Sequence, residues 1–581
     1  MAVAARNTAP PPWLQYVPKS WTVLRQGYSL RDLRQDLVAG LTVAVVALPL
    51  AMALAIASGA APEKGLHTAI VAGFLISLLG GSRVQVGGPT AAFIPVVFVV
   101  IERFGYGGMI LCTLLAGLIL IAAGLLRLGV LMRYMPQPVI TGFTAGIAVS
   151  IFTSQVKDLL GLSIEKLPAA FVPKWQAYAA HLDSINPASV VMALSCLALI
   201  LAVRRWRPLW PGFLIAVVLA SIASVLLGDF SLPYSAPTIG SVFGSIPAAL
   251  PQFDFPHIPF ERTGELLPSA LTIAFLGGVE SLLSAVVADG MTGGRHRSNG
   301  ELVAQGVANC ASALFGGLPA TGAIARTATN VRAGARTPVA GMAHAGFLLL
   351  FMLVAAPLMA YVPLAALAAV LLVVAWNMSE IEQFKHLLRG HWGDRLVLLV
   401  TFVLTVAFDL TVAIEVGVVL ASFLFMHRMS EVVSVSDASG AHEDLNDSDA
   451  GDEPDQRDRL PPGVAAFRIS GPLFFAVANR LDEVLDQFPV PPRVFILRMR
   501  QVPMIDASGA HALRQFLSRC ARHGTQVILS GVQPQPHELL LSQHLGDAGN
   551  LLGMAADFDT ALDWAAQAAD NARPQDLPRP P

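Results

Sequence analysis

Two stretches decide the fold: VQVGGPTA at 84–91 and ATGAIARTAT at 320–329. Each places small, hydroxyl-bearing and glycine-rich residues inside an otherwise apolar region, where an unbroken helix would be the default. At membrane depth a broken helix is tolerated only where it lines a cavity or is buried in protein. Two interrupted segments at corresponding positions of two halves point to an inverted-repeat transporter with its site near the midplane. An echo supports the repeat: LTVA at 41–44 in the first span matches LTIA at 271–274 in the eighth.

Working outward, the 581 residues are 54% hydrophobic and 13% charged, against roughly 25% charged in soluble domains. A mean hydropathy of +0.60 over that length requires many apolar segments, since one span needs about 20 apolar residues. The breaks at Gly, Pro and charged residues divide 37–429 into fourteen spans: 37–58, 66–81, 84–103, 108–127, 135–156, 187–203, 210–228, 264–289, 299–317, 319–332, 338–356, 363–377, 394–409 and 411–428. No cleavable signal precedes the first, so residues 1–36 are expected in the cytoplasm. Basic residues from Arg83 and Arg133 through the Arg204–Arg207 group to Arg395 then fall on the inner side. The opposite loops hold only Lys64, Arg103, Lys157, Lys166, Lys174 and Arg262. That asymmetry fits an inner-membrane protein with both termini cytoplasmic.

After Met429 the hydropathy drops. Residues 430–463, rich in Asp and Glu, read as an acidic flexible linker. Residues 464–570 read as a compact α/β domain: strand-like 464–469, helical 479–488, a buried strand at 494–497, helical 507–523 and strand-like 526–529. Residues 571–581 read as a disordered tail. A net charge of −2 gives no footprint for nucleic acid. The cysteines (Cys112, Cys196, Cys310, Cys520) have no metal-site spacing. No phosphate-binding loop for ATP is present, so a gradient is the expected energy source and no cofactor is implied.

Two ionisable residues stand out. Glu280, within GGVESLLSAVVADG at 277–290, has no basic neighbour within a helical turn; a charge at that depth marks a functional site. It suits a group that takes up and releases a proton, the competing reading being a packing hydrogen bond. Arg326 sits where the second broken helix begins. With the positive end of a half-helix it favours an anion; the alternatives are a partner for Glu280 or a side chain reaching the surface. Gly87, Gly88, Pro89 and Thr90 offer the matching helix start. Asp289, Arg295, His296 and Arg297 read as a loop, and Asp409 as a turn. In the α/β domain Asp506 and Ser508 open a helix. Asp506 reads first as an N-cap, with a regulatory hydroxyl at Ser508 as the functional alternative.

Together PLAMALA (49–55), GGPTAAF (87–93), GGVESLLSAVVADGMTG (277–293), ATGAIARTATNVRAG (320–334), VVAWNMSE (373–380) and SGPLFFA (470–476) resemble the SulP anion permeases. These are bacterial relatives of the animal solute-carrier anion exchangers and prestin, with a C-terminal STAS domain. The resemblance covers about 20–558. It implies seven-plus-seven inverted repeats, core and gate domains, an elevator-like movement and a homodimer in the lipid bilayer. It places the anion between half-helices three and ten, at Pro89, Thr90, Ala91, Phe93, Ala325, Arg326 and Thr327, with Glu280 as the proton-coupling acid. It matches Ser508 to a phosphorylated serine of anti-sigma-factor antagonists, which implies a cytoplasmic protein partner.

One departure bears on substrate. Many sulfate-type members carry Pro-Gln-Gly in span one, whereas Pro49 is followed here by Leu50-Ala51, which removes a side-chain amide. With MALAIASG this looks closest to the DauA-like subgroup that carries succinate and fumarate. The expected function is proton-coupled symport of four-carbon dicarboxylates. The alternatives are bicarbonate or sulfate transport, driven by sodium in one form, and a membrane anion sensor signalling through STAS. No nucleophile–base constellation suggests an enzyme.

Overall fold

The computed structural model describes residues 12–129, 135–207, 210–228, 235–253, 258–408, 410–432, 434–437, 460–474, 488, 490–545 and 549–571. Arg133, Asp409, most of the acidic linker, the 479–488 helix apart from Phe488, and the tail after Asn571 lie outside this set. The chain divides into two units, 1–421 and 422–581.

The first unit is helical. In order come α1 (Lys19–Gln26), α2 (Leu30–Ala57), α3 (Pro62–Leu79), the two-residue strand β1 (Gly87–Gly88), a 3-10 turn at Ala91–Phe93 and α4 (Ile94–Leu125). There follow α5 (Gln137–Leu160), α6 (Phe171–Ala180), α7 (Pro187–Trp206), α8 (Gly212–Gly228), α9 (Ile239–Phe243), α10 (Thr263–Thr292) and α11 (Ser298–Leu314). The remainder is β2 (Thr321–Gly322), α12 (Ile324–Arg332), α13 (Val339–Met359), α14 (Leu364–Met378), α15 (Ile381–Leu388), α16 (Trp392–Ala407) and α17 (Leu410–Val432).

Each of the fourteen expected spans has a counterpart. Spans three and four run together as α4, where Gly105 (φ 71°) breaks the helical backbone between them; glycine reaches that conformation without a Cβ clash. By length and composition alone, eight helices of the described residues can cross a membrane. The others are short (α8, α16), polar (α11), broken (α12) or open on charged residues (α3, with Glu63 and Lys64 in its first turn). The first span begins at Leu30, not 37. Ser29 and Asp32 form a reciprocal cap, and Asp36, fully buried, accepts from Tyr28 Oη (3.0 Å) and the Arg336 and Thr337 backbone N–H groups (2.8 and 3.2 Å). Charge is thus tolerated inside the helix because its hydrogen bonds are met.

Packing sorts the spans into two groups. α2 and α3 pack on α13, and α4 on α10 and α11; α14 and α16 pack on α5, and α7 on α14 and α8. The first group is the core carrying both broken helices, the second a gate, each drawing its helices from both halves of the chain. This is the seven-plus-seven inverted-repeat architecture.

The second unit is a five-stranded sheet in the order β3 (Ser434–Asp437), β4 (Val464–Ser470), β5 (Val494–Gln501), β6 (Gln526–Ser530), β7 (Leu551–Ala555). β4 to β7 are parallel, and β3 runs antiparallel to β4 with Ser434 opposite Ser470. Helices α18 (Ala507–Arg522), α19 (Pro534–Ser542) and α20 (Phe558–Asn571) complete it. Phe495 and Leu497 pack with Leu513 and Phe516 of α18 on one face; Val494 and Ile496 pack with Ala561 and Ala565 of α20 on the other. Burial on both faces explains the unbroken apolar run VFIL at 494–497. β3 corrects the expected linker: Ser434–Asp437 are sheet, because an edge strand needs few apolar residues to pair.

Candidate functional site

The two broken helices meet at their interruptions. β1 and β2 pair antiparallel, Gly87 opposite Gly322 and Gly88 opposite Thr321, so backbone groups left by the missing helical turns bond each other. Ala323 N–H adds a bond to Val86 O (3.0 Å). One face of α10 holds this crossing. Gly277 O accepts from Thr321 Oγ1 (2.9 Å), Ser281 Oγ accepts from Gly322 N–H (3.1 Å), and Ser284 Oγ donates to Thr327 Oγ1 (3.0 Å). Residues 277, 281 and 284 share a face because they are four and three apart. Gln85 Nε2 donates to Ser281 O (3.1 Å), so close to β2 that a Cβ on Gly322 would stand 1.5 Å from it.

Beside the crossing is a cavity of about 400 Å³ lined from the core by Leu50, Pro89, Thr90, Ala91, Glu280, Ala325 and Arg326, and from the gate by Phe143, Ile147 and Asn377. Two adjacent residues anchor its charged groups. Arg326 Nη2 donates to Pro89 O (2.8 Å), and Thr90 Oγ1 donates to Glu280 Oε1 (2.8 Å). Arg326 is 4% exposed, so it does not reach the surface. Its Nε and Nη1 and Glu280 Oε2 are buried without hydrogen-bond partners, and no ion pair joins the two side chains. Buried polar atoms in a native protein are normally satisfied; here two donors and an acceptor stand unsatisfied on two residues that line one cavity. α12 adds a start without a side-chain cap, whose first N–H groups lack helical partners. An anion fits the donors, and a proton fits the carboxylate.

Of the expected site residues, Pro89, Thr90, Ala91, Glu280, Ala325 and Arg326 share this cavity. Phe93 and Thr327 stand outside its lining. Phe93 is 2% exposed with its ring tip against Gly277. Thr327 is on the far side of α12, where Oγ1 accepts from Val86 N–H (3.2 Å) and Ser284. Asp506 caps α18 by accepting from Gly509 N–H (2.7 Å), and Ser508 is exposed in its first turn. Asp289 takes the His296 ring and backbone N–H (2.6 and 2.8 Å), a loop closure.

Gln85, Ser281 and Ser284 were not among the expected site residues; for the two serines the available signal was their place on α10 one and four positions after Glu280, and for Gln85 there was none. Also outside that set were Glu301, fully buried on α11, which accepts from Gly81 and Ser82 N–H (2.7 and 3.1 Å), and Asn309, whose amide pairs with both backbone groups of Ala320 (2.8 Å each).

Residues 33–401 match the sulfate permease family and residues 458–548 the STAS domain. The chain is 42% identical over 516 residues to the putative sulfate transporter YvdB of Bacillus subtilis, covering 89% of this chain and 94% of that protein. It is 32% identical over 514 residues to the bicarbonate transporter BicA of Synechocystis, covering 87% and 89%. The solved transmembrane domain of a cyanobacterial BicA superposes with a TM-score of 0.60 at 33% identity, over 67% of this chain and 98% of that one. Murine Slc26a9, at 20% identity, shares the fold with a TM-score of 0.83 over 97% and 96%. With both broken helices, the cavity between them and the sheet domain inside these matches, the chain belongs to the sulfate permease family and carries a C-terminal STAS domain.

Proposed function

We propose that this anion transporter is a secondary active carrier that moves a small anion together with a proton, the core moving against the gate in an elevator-like step. The observation that carries the reading is a pair of unsatisfied charged groups lining one cavity, Arg326 with Nε and Nη1 unpartnered and Glu280 with Oε2 unpartnered. An ionised Glu280 competes with an anion for the Arg326 charge; a protonated Glu280 leaves that charge to the anion. Binding of the two substrates is therefore mutually favourable, which is the requirement for symport.

Substrate class rests on the lining. Leu50, the position where many sulfate-type members carry an amide, faces the cavity together with Phe143, Ile147 and Phe275. An apolar wall with one cation supports a four-carbon dicarboxylate, whose hydrocarbon body tolerates such a wall and whose carboxylate meets Arg326. A second reading, sulfate or bicarbonate, is favoured by the relatives that bear those names. The proposal places the protein in the inner membrane as a homodimer with cytoplasmic termini. Ser508 then offers its exposed hydroxyl for phosphorylation, read by a cytoplasmic partner.

The test is uptake of labelled succinate into proteoliposomes under an inward proton gradient, with fumarate, sulfate and bicarbonate as competitors. Gradient-driven uptake blocked by fumarate supports dicarboxylate symport. Uptake of sulfate or bicarbonate without succinate discards the substrate drawn from Leu50, and dependence on sodium alone discards proton coupling.

A further inference from the structure

A second cavity, of about 350 Å³, stands end to end with the first. On α5 the central cavity is lined by Phe143, Thr144 and Ile147, and the second by Ser150, Thr153 and Ser154. The lining thus continues one helical turn further along the same face. The same step recurs on α2, from Leu54 to Ala57, and at the start of α4, from Ala92 to Ile94 and Pro95. Between them Phe93, Ile94, Ile147 and Ile151 are all buried and form a septum one turn thick. Like the central cavity, the second is walled by the core on one side and the gate on the other.

Lys174 of α6 lines this second cavity and is 8% exposed. Its ammonium has no ion pair or hydrogen bond among the described residues; Nζ lies 5.4 Å from the centroid of the Phe98 ring, which lines the same cavity. Burial lowers the Lys174 ammonium from its ordinary value, with Glu102 acting the other way. A cation–π contact offsets only part of the cost of removing an ammonium from water. Ser150 and Ser269 line the same space, as does Arg103, which is exposed.

We propose that this cavity is a second anion-binding site, in which Lys174 and the Ser150 and Ser269 hydroxyls hold a small anion one septum away from Arg326. Charge explains the assignment: among the described residues the buried ammonium has no ion pair, its contact is a ring face and the carboxylate of Glu102 acts on it from beyond ion-pair distance, so an anion in the cavity supplies a close counter-charge. Resting on the transport reading above, the occupant is the transported anion, waiting for the core to carry the central site past the septum.

Equilibrium binding of radiolabelled sulfate, succinate, bicarbonate and chloride to the full chain in nanodiscs tests this. The wild type is expected to bind two anions per protomer, Lys174→Gln one, and Lys174→Arg two. In oriented proteoliposomes Lys174→Gln is expected to raise KM about tenfold for anion entering from that face and to leave KM from the other face unchanged. Ser150→Leu, which fills the cavity, should reproduce the loss if Lys174→Gln is not recovered folded. Unchanged stoichiometry in both variants overturns the site. Chloride as its sole occupant overturns the waiting position. Loss of one anion in Lys174→Gln with no loss in Arg326→Gln leaves this site standing and discards the central one.

Discussion

Glu280 and Arg326 are held by neighbouring residues of one short loop, so each can be altered without collapsing the other. Glu280→Gln keeps an oxygen to accept from Thr90 Oγ1 and removes only the titration. We expect the variant to fold, to bind anion, and to lose coupling, with anion-driven proton entry falling at least about tenfold as read by a pH dye inside vesicles. Gly88→Ala acts on the other partner. Its Cβ would stand 2.1 Å from Arg326 Nη1, so the guanidinium must leave Pro89 O. Overpacking of that kind costs about 1–3 kcal/mol, and transport should fail together with a lowered thermal midpoint, separating it from Glu280→Gln. These two charges were legible in the sequence because ionisable groups are conspicuous in apolar runs. Gln85 was not: an uncharged amide in a glycine-rich stretch looks like loop, and its role comes from a helix some 200 residues away in the chain.

At the scale of elements, the interruptions of spans three and ten were readable, but the strand pairing that joins them was not. Two strands of two residues have no alternation to detect, and their partners are 235 and 233 positions apart. What fixes them is α10, through Ser281, one position from Glu280. Ser281→Ala removes the acceptor for Gly322 N–H and a hydroxyl partner of Thr321. A buried donor left unsatisfied costs about 1–3 kcal/mol. The midpoint in detergent should fall in Ser281→Ala and hold in Glu280→Gln, although the two residues are adjacent. Equal midpoints would mean that α10 does not hold the crossing. The opposite kind of misreading occurred at the span boundaries. Composition put the first span at 37, because capped and hydrogen-bonded charges look, residue by residue, like a loop.

The whole molecule is two units with separate hydrophobic cores, and the second should fold on its own. Its sheet begins before the acidic segment: β3 pairs with β4 over four residues, Ser434 to Asp437, so cutting the chain in that segment removes an edge strand. A fragment spanning 430–571 should therefore be more stable than one spanning 460–571, by about 1–3 kcal/mol from a few ladder bonds at about 1 kcal/mol each. Urea midpoints compare them; equality would show that β3 adds nothing to the sheet. Cys520, fully buried on α18, gives the same fold an alkaline limit. Burial pushes its thiol up to about 12 from 9.0. The folded domain thus keeps a proton that the unfolded chain releases above about pH 9, and stability falls as pH rises through that window. Cys520→Ala should flatten the decline of the urea midpoint between pH 8 and pH 10, whereas an unchanged slope would place the alkaline sensitivity on another group.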